Sequence, residues 1–351
     1  MRARKITMVV LVIMALAMTA CSGETQDVQA GVLTNNILKE PEGNNQITTQ
    51  QSTETEKEPF LPENIPVAEE SELIYRYDEE LGGVLVIDYR GERTDLRIPD
   101  TLNGKPVLVV NLEECKVQLT SLVMPDSVCE FKLASDGFYK EKLKYIYIPK
   151  SVTSVYLKHC DSLTSMTIPN GVTSVEFSYC NALTSVTIPD GVTEISFFHC
   201  ENLTSVTIPN SVTKIYSFAF AGCTNLTSVT IPDSVTEIGT EAFKDCENLT
   251  SVIIPYGVTA IKYAAFSNCK SLTSVTIPDS VTELGAEAFK DCESLTSLTL
   301  PDSVNRLVGY QDVYYYWYTF PKICVIKYKG KSYSYDNIYD LYEAIDIKIF
   351  H

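Results

Sequence analysis

Seven cysteines recur at intervals of 20 and then 23 residues, and regularly spaced thiols suggest disulfide bonding or metal binding. If each interval is one structural repeat, the thiols stack about 4.8 Å apart, beyond the roughly 3.8 Å between the Cβ atoms of a disulfide. A straight column also cannot surround one zinc ion tetrahedrally. We therefore expect these thiols to be buried and to act as small apolar side chains. The column comprises Cys160, Cys180, Cys200, Cys223, Cys246, Cys269 and Cys292.

Two histidines each stand directly before a column cysteine, and a tyrosine holds the matching place between them. Two repeats apart is about 10 Å, which is too far for one metal ion or a direct hydrogen bond. The 20-residue repeats place aromatic side chains at positions that the core pattern does not need. We predict a ligand-binding aromatic strip there if these side chains are exposed; the alternative is local packing around a shortened repeat. The strip comprises Tyr156, His159, Tyr179, Phe198 and His199, beside Lys158 and Glu176.

Hydroxyl side chains also recur, as Thr-Ser pairs from Thr164 and Ser165 to Thr273 and Ser274, but no base accompanies them. The chain has 3 histidines, and one of them is the terminal His351, which leaves little room for a Ser-His-acid arrangement. No phosphate-binding loop or metalloprotease motif is present. The sequence predicts no catalytic residue, metal site or cofactor, and an enzyme is a remote alternative.

The elements that position these side chains follow from one repeat. In Leu226–Ile231, Val229 and Ile231 alternate with threonine, which predicts a short strand with one buried face. Pro232 ends the strand, because proline cannot donate to a ladder. A second apolar pair follows, and Gly239–Cys246 then predicts one short helical or 3₁₀ turn. A single repeat cannot cover its own apolar face, so the repeats must stack as a solenoid.

The motif Leu-x-x-Val-x-Ile with a closing cysteine, followed by Ile-Pro-x-x-Val-Thr-x-Ile-Gly-x-x-Ala-Phe, resembles the BspA-like, or treponemal-type, leucine-rich repeat. The resemblance implies a curved, right-handed α/β solenoid, predominantly β with short helical or 3₁₀ turns. It also implies a cell-surface protein, often adhesive, and it supplies no catalytic residue. Two departures stand out: the three 20-residue copies lack the Gly-x-x-Ala-Phe turn, and Lys140 occupies a cysteine position.

The start of the chain predicts export and anchoring. Residues 1–20 combine a basic end with an apolar run that is too short to span a bilayer, as in a signal peptide. They end in Met-Thr-Ala before Cys21, which resembles a bacterial lipobox and implies lipidation of Cys21. The alternative is ordinary cleavage nearby. Residues 21–72 are polar and acidic, which predicts a disordered tether.

The remaining boundaries follow the repeat. We predict an N-terminal β cap and first coil over residues 73–112, the solenoid over 113–305, and an aromatic C-terminal cap over 306–351 that includes a closing helix. The cap contains a second candidate ligand-binding segment, since tyrosine and tryptophan are favoured at contact surfaces. Its residues are Tyr314, Tyr315, Tyr316, Trp317 and Tyr318.

Charge and anchoring together indicate a function class. The net charge of −17 argues against nucleic acid, whose binding needs lysine and arginine to neutralise phosphates. We predict a bacterial surface lipoprotein, attached to the membrane through Cys21, whose repeat domain binds proteins or mediates adhesion to host matrix or other cells. The alternative is an envelope protein that binds glycans through its aromatic residues.

Overall fold

The structure is a computed structural model that describes residues 65–133, 140–308 and 319–345. All of these residues belong to one unit of the chain, Asn64–His351. The predicted signal peptide, the lipidation site Cys21 and the candidate segment Tyr314–Tyr318 lie outside the described residues. Within them, no helix has the length and apolar character needed to cross a membrane.

An antiparallel hairpin opens the fold, within the predicted N-terminal β cap. Strands β1 (Leu73–Asp78) and β2 (Gly83–Tyr89) pair through a turn in which Gly82 has φ +70°. Strand β3 (Asp95–Arg97) follows, and a second hairpin joins β4 (Thr101–Leu102) to β5 (Lys105–Asn111). Strand β5 pairs in parallel with β2, so the hairpin becomes the first member of a parallel stack.

Each repeat then forms one coil of a β-solenoid of about ten turns, and each coil contributes up to two short strands. The first strand lies before the proline of its repeat. Its row comprises β3, β6 (Ser121–Val123), β8 (Tyr145–Tyr147), β12 (Ser205–Thr207), β14 (Ser228–Thr230), β16 (Ser251–Ile253), β18 (Ser274–Thr276) and β20 (Ser297–Thr299). Strand β22 (Val325–Tyr328), which has no proline after it, pairs with β20 and ends the row. Isolated parallel bridges, Thr167 with Thr187 and Ser185 with Ser205, continue this row through the short coils.

The second strand of each coil follows the proline. Its row comprises β2, β5, β7 (Glu130–Lys132), β9 (Ser154–Lys158), β10 (Ser174–Ser178), β11 (Glu194–Ser196), β13 (Lys214–Ile215), β15 (Glu237–Ile238), β17 (Ala260–Ile261), β19 (Glu283–Gly285) and β21 (Arg306–Val308). Equivalent residues face each other, for example Val206 and Val229 in the first row and Ile238 and Ile261 in the second. The predicted stacking in register is therefore confirmed.

Columns of identical side chains fill the interior. The rings of Phe220, Phe243, Phe266 and Phe289 stack with centroids 5.0, 5.2 and 5.7 Å apart. The segment Gly239–Cys246, expected as a short helical or 3₁₀ turn, forms successive hydrogen-bonded turns instead of a helix. The physical reason is that two of its residues, Glu241 and Asp245, have φ of +55° and +59°, and left-handed residues interrupt a right-handed helix.

The predicted tether extends too far toward the C-terminus. Ile65 and Ala68 are buried, the backbone N–H of Ala68 donates to Arg97 O at 2.8 Å, and Glu70–Glu72 form a 3₁₀ turn. These residues cover apolar surface at the first coil, so residues 65–72 are part of the folded unit and not of the tether.

The C-terminal end is capped by a hairpin and a helix. Strand β22 pairs in parallel with β20 and antiparallel with β23 (Lys331–Tyr333). A 3₁₀ turn (Tyr335–Asn337) then leads into α1 (Ile338–Ala344). The predicted closing helix is confirmed over these residues, and its apolar side chains are buried: Ile338, Leu341, Tyr342 and, just beyond the helix, Ile345.

Candidate binding surface on the short coils

Three residues of the predicted strip form one continuous ring stack. The imidazole of His159 lies 4.7 Å from the ring of Tyr179 with an angle of 3° between their planes. The imidazole of His199 lies 5.1 Å from the opposite face of Tyr179 with an angle of 6°. Tyr179 is therefore held between two imidazoles, and all three residues are half-buried. The two histidines do not share a ligand, because the tyrosine ring separates them.

The backbone explains why these rings align. His159, Tyr179 and His199 have φ of +52°, +56° and +52°, in the left-handed region that few non-glycine residues occupy. A repeated backbone hydrogen bond accompanies this conformation: the N–H of Tyr179 donates to Phe198 O at 2.8 Å, and that of His199 donates to Ala221 O at 2.8 Å. The same position is left-handed in the longer coils, at Gly222, Asp245, Asn268 and Asp291.

Gly222 ends the stack. A Cβ at this position would lie 2.5 Å from His199 Nδ1 and 2.7 Å from Cε1. The missing side chain therefore makes the space that the imidazole occupies, and the last ring of the stack lies directly against the backbone of the first long coil.

Phe198 connects the stack to a further aromatic residue. Its ring meets Tyr179 edge-to-face at 5.4 Å and His199 at 4.5 Å. On its other side it meets Phe218 edge-to-face at 6.3 Å. Phe218 is 43% exposed, and Tyr216 near it in sequence is 49% exposed. The surface therefore extends beyond the predicted strip into the first 23-residue coil.

The polar and outlying members lie on the strands beside the stack. Tyr156 is 43% exposed on β9 and pairs in register with Glu176 of β10. Partial burial raises the pKa of the Glu176 carboxyl, and the charge of Lys158 opposes that rise. A carboxylate that has lost part of its water gains more from a hydrogen-bond donor supplied by a ligand.

The cysteine column is buried, as predicted, and its seven members are free thiols. The thiols have a specific role beyond filling space. Cys246 Sγ lies 3.2 Å from Phe220 O, and Cys269 Sγ lies 3.2 Å from Phe243 O, so each donates to the carbonyl of the phenylalanine in the preceding coil. Burial raises the pKa of Cys223 to about 12, which keeps that thiol protonated and able to donate.

Sequence reasoning missed two groups of exposed apolar residues. Phe218 and Tyr216 lie in the first 23-residue coil. They could have been found from the sequence, because the next copy has Glu241 in place of Phe218 and Gly239 in place of Tyr216. The second group is Ile253 and Tyr256, which stand where the neighbouring copies carry threonine and aspartate. In the described part of the chain no three His, Cys, Asp or Glu side chains are grouped to hold a metal ion.

Comparisons with known proteins agree with this architecture. The family model described as BspA type leucine-rich repeat region matches residues 112–198 and 194–316 with 6 copies. No curated protein matches the sequence significantly.

Solved structures of bacterial leucine-rich repeat proteins are similar to the chain. The leucine-rich repeat protein of T. pallidum is 22% identical over 66% of this chain and 91% of its own, with a TM-score of 0.35. A leucine-rich cell surface protein of Faecalibacterium prausnitzii is 24% identical over 74% and 94%, with a TM-score of 0.33. The pneumococcal vaccine antigen PcpA is 15% identical over 78% and 94%, with a TM-score of 0.44.

The family model covers more than half of the 351 residues, and its repeats coincide with the leucine, cysteine and phenylalanine columns of the solenoid. The chain belongs to the BspA-type leucine-rich repeat family.

Proposed function

We propose that this protein is a bacterial cell-surface lipoprotein that binds a protein partner through the aromatic strip and carries out no catalysis. The observation that carries the proposal is the run of three ring side chains in left-handed backbone positions, at His159, Tyr179 and His199. A ring side chain in this conformation costs free energy that glycine, aspartate and asparagine largely avoid.

The fold itself does not require aromatic residues at these positions. The longer coils build the same left-handed turn with glycine, aspartate or asparagine, residue types that accept the conformation at lower cost. The rings therefore add something that the solenoid does not need for stacking, and a contact surface is the role that half-exposed tyrosine and phenylalanine side chains fit best.

The geometry favours a protein over a glycan at this strip. A sugar ring packs on an aromatic face, but both faces of Tyr179 are covered by imidazoles. What remains accessible is ring edges and polar atoms, together with the exposed side chains of Phe218 and Tyr156. Such a mixed surface matches the aromatic and polar composition of protein interfaces.

Surface attachment is the second part of the proposal. It is supported by the lipobox-like sequence before Cys21 and agrees with the description of the similar Faecalibacterium prausnitzii protein as a cell surface protein. Two or more acyl chains hold a protein firmly on a membrane, at about 0.8 kcal/mol per buried CH₂. We expect Cys21→Ala to release the protein from the membrane fraction or to leave it unprocessed. Unchanged partitioning of this variant into the detergent phase would contradict lipid anchoring.

The binding test uses substitutions that other coils already accept. The triple variant Tyr179→Asn, Phe198→Ser, His199→Asn introduces the residue types found at Asn268 and Ser178, at equivalent positions. The full-length chain and the variant are compared on immobilised extracellular-matrix proteins, on whole bacterial cells and on a glycan array. We expect the variant to bind protein or cells at least about tenfold more weakly, equivalent to about 1.4 kcal/mol, with an unchanged unfolding midpoint.

The matched control is Tyr339→Ser, which removes an aromatic side chain of 46% exposure from α1 at the far end of the chain. It should bind as the wild type does. Normal binding by the triple variant would show that the strip is not the site. Loss of glycan binding with unchanged protein binding would support the glycan alternative instead.

A further inference from the structure

One coil of the array differs in sequence from its neighbours on its outer surface alone. In the coil that runs from Cys246 to Ile261, the core residue types are ordinary: Val252, Ile254 and Val258 match the valine, isoleucine and valine of both adjacent coils. All three are buried, whereas the equivalents of Val252 and Ile254 in the adjacent coils are partly buried. The exposed positions of this coil carry unusual residues. Four polar positions of the neighbouring coils carry Ile253, Tyr256, Gly257 and Ala260 here, in place of threonine, aspartate, serine and glutamate.

The two large side chains of this coil are openly exposed. Ile253 is 69% exposed and Tyr256 is 75% exposed, more than any other large apolar side chain among the described residues. Ile253 ends β16 and pairs in register with Thr276 of β18, so it lies in a row that is otherwise polar. Three residue steps separate Ile253 from Tyr256, so their Cα atoms are at most roughly 10 Å apart. The two therefore form one patch of a size that a single partner segment covers.

Acidic side chains border this patch on both sides. In the preceding coil, the positions equivalent to Tyr256 and Ala260 carry Asp233 and Glu237. In the following coil the same positions carry Asp279 and Glu283. Coils stack about 4.8 Å apart, so these carboxylates lie within contact range of any group that rests on Tyr256.

The basic partners of these carboxylates lie on the far sides. Glu237 pairs with Lys214 at 3.3 Å, one coil further from the patch, and Glu283 pairs with Arg306 at 3.4 Å, one coil further in the other direction. Lys244 and Lys270 pair with acidic residues in the turns, at Glu241 and Glu247. The patch therefore has an apolar centre with carboxylates on both sides of Tyr256, and the exposed Lys262 follows Ala260 at its other end. The molecule as a whole carries a net charge of −17.

We propose that this acid-bordered patch, formed by Ile253, Tyr256 and Ala260 between Asp233 and Asp279, docks a basic segment of a partner protein. The segment carries a large apolar side chain that packs between Ile253 and Tyr256, flanked by lysine or arginine residues that meet the carboxylates. A central apolar anchor with a charged rim is the common anatomy of a protein-binding hot spot. Complementary charge at the rim supplies partner selection and speeds association. Nucleic acid is repelled by the same carboxylates.

The test uses a variant that restores the ordinary repeat. Ile253→Thr with Tyr256→Asp gives this coil the residues that its neighbours carry, so it removes the patch without disturbing the core. A phage-displayed library of random peptides of about 12 residues, long enough to cover such a surface, is depleted on this variant and then panned on the full-length wild-type chain. We expect recovered peptides to carry lysine or arginine on both sides of a large apolar residue, and synthetic copies to bind the wild type at least about tenfold more tightly than the variant.

Two further variants separate the contributions. Asp233→Asn with Asp279→Asn keeps the size of the border side chains and removes their charge, as Asn210 does naturally at the equivalent position. It should weaken peptide binding by at least about threefold, and so should a rise in salt from about 0.05 to about 0.5 M. The triple variant of the aromatic strip should bind the peptides normally, since it alters other coils.

Several results would overturn the proposal. One is that no peptide distinguishes the wild type from the Ile253→Thr, Tyr256→Asp variant. Another is that the recovered peptides are acidic, or that their binding is insensitive to the loss of Asp233 and Asp279. A third is that a glycan array binds the wild type through this patch, since that would identify Tyr256 as a sugar platform.

Discussion

Gly222→Ala is the sharpest test of the aromatic stack, because a single methyl group would enter the space that the His199 ring occupies. Gly222 has φ +76°, so alanine meets two separate costs there. The first is the left-handed backbone, which costs about 1–2 kcal/mol for a residue with a Cβ. The second is steric, since the new Cβ would lie 2.5 Å from His199 Nδ1 and 2.8 Å from Cγ. Forcing extra volume into a packed site costs about 1–3 kcal/mol.

The expected loss of unfolding free energy is therefore about 2–5 kcal/mol, and a second substitution separates the two costs. In a His199→Ala background the steric cost disappears, because no ring faces the new methyl group. The remaining loss from Gly222→Ala should be the backbone cost alone, about 1–2 kcal/mol. The coupling between the two positions is then about 1–3 kcal/mol in a double-mutant cycle.

The measurement is equilibrium unfolding in urea, followed by circular dichroism, for the wild type, both single variants and the double variant. Asp291→Ala serves as the matched control, since Asp291 holds the same left-handed position with φ +56° and is exposed. Its loss should stay below about 1 kcal/mol. A cycle with no coupling, in which Gly222→Ala costs the same with and without the imidazole, would refute the placement of His199 against Gly222.

Two further predictions concern buried groups of the cysteine column. Cys246→Ala and Cys246→Ser should each lower the free energy of unfolding in urea by about 1–2 kcal/mol. Alanine removes the thiol and its hydrogen bond, whereas the serine hydroxyl can replace the thiol as donor to Phe220 O. A much larger loss for serine alone would show that its hydroxyl makes no hydrogen bond to this carbonyl. Lys140 is buried in the column and donates to Cys115 O at 2.8 Å, and burial lowers the pKa of its ammonium group. The unfolded chain therefore binds the proton more tightly, and Lys140→Met should stabilise the fold most below the folded-state pKa and less as pH rises toward 10.5; a pH-independent difference in unfolding free energy would contradict this.

The coil architecture could be predicted because its signals are local and repeated. Proline, leucine and cysteine recur at fixed spacing, and one register then places every buried column. The Gly239–Cys246 turn could not be predicted in the same way. Glu241 and Asp245 adopt left-handed conformations because the backbone of the adjacent coil offers hydrogen-bond acceptors, at Tyr263 O and Ser267 O. This preference comes from the stacked neighbour. Its mark in the sequence is weak: a glycine, aspartate or asparagine stands before the cysteine of each longer coil, at Gly222, Asp245, Asn268 and Asp291, but the other left-handed position, Glu241, carries no such residue type.

The candidate surfaces show a related limit. The aromatic residues of the strip could be located from their variable positions, but their stacking depends on the left-handed backbone at His159, Tyr179 and His199. Ile253 and Tyr256 were missed because comparison of copies draws attention to what repeats in the core, and this coil departs from the others only on its exposed face. The predicted end of the tether was wrong for a similar reason: Ile65–Ala68 is a short apolar run between acidic residues, and the burial of Ile65 and Ala68 depends on contact with the first coil.

Energetics also determine how a loss of binding at the strip can be interpreted. The triple variant replaces two of the three left-handed rings, Tyr179 and His199, whose backbone conformation costs about 2–4 kcal/mol at roughly 1–2 kcal/mol each. Four ring contacts, two stacked and two edge-to-face, return about 2–6 kcal/mol at roughly 0.5–1.5 kcal/mol each. The two sums nearly cancel, so the rings contribute little net stability to the solenoid. Asparagine and serine remove these ring contacts and lower the backbone cost at Tyr179 and His199, while His159 keeps its left-handed imidazole. A variant that keeps its unfolding midpoint but loses its partner has therefore lost a contact surface and not a fold.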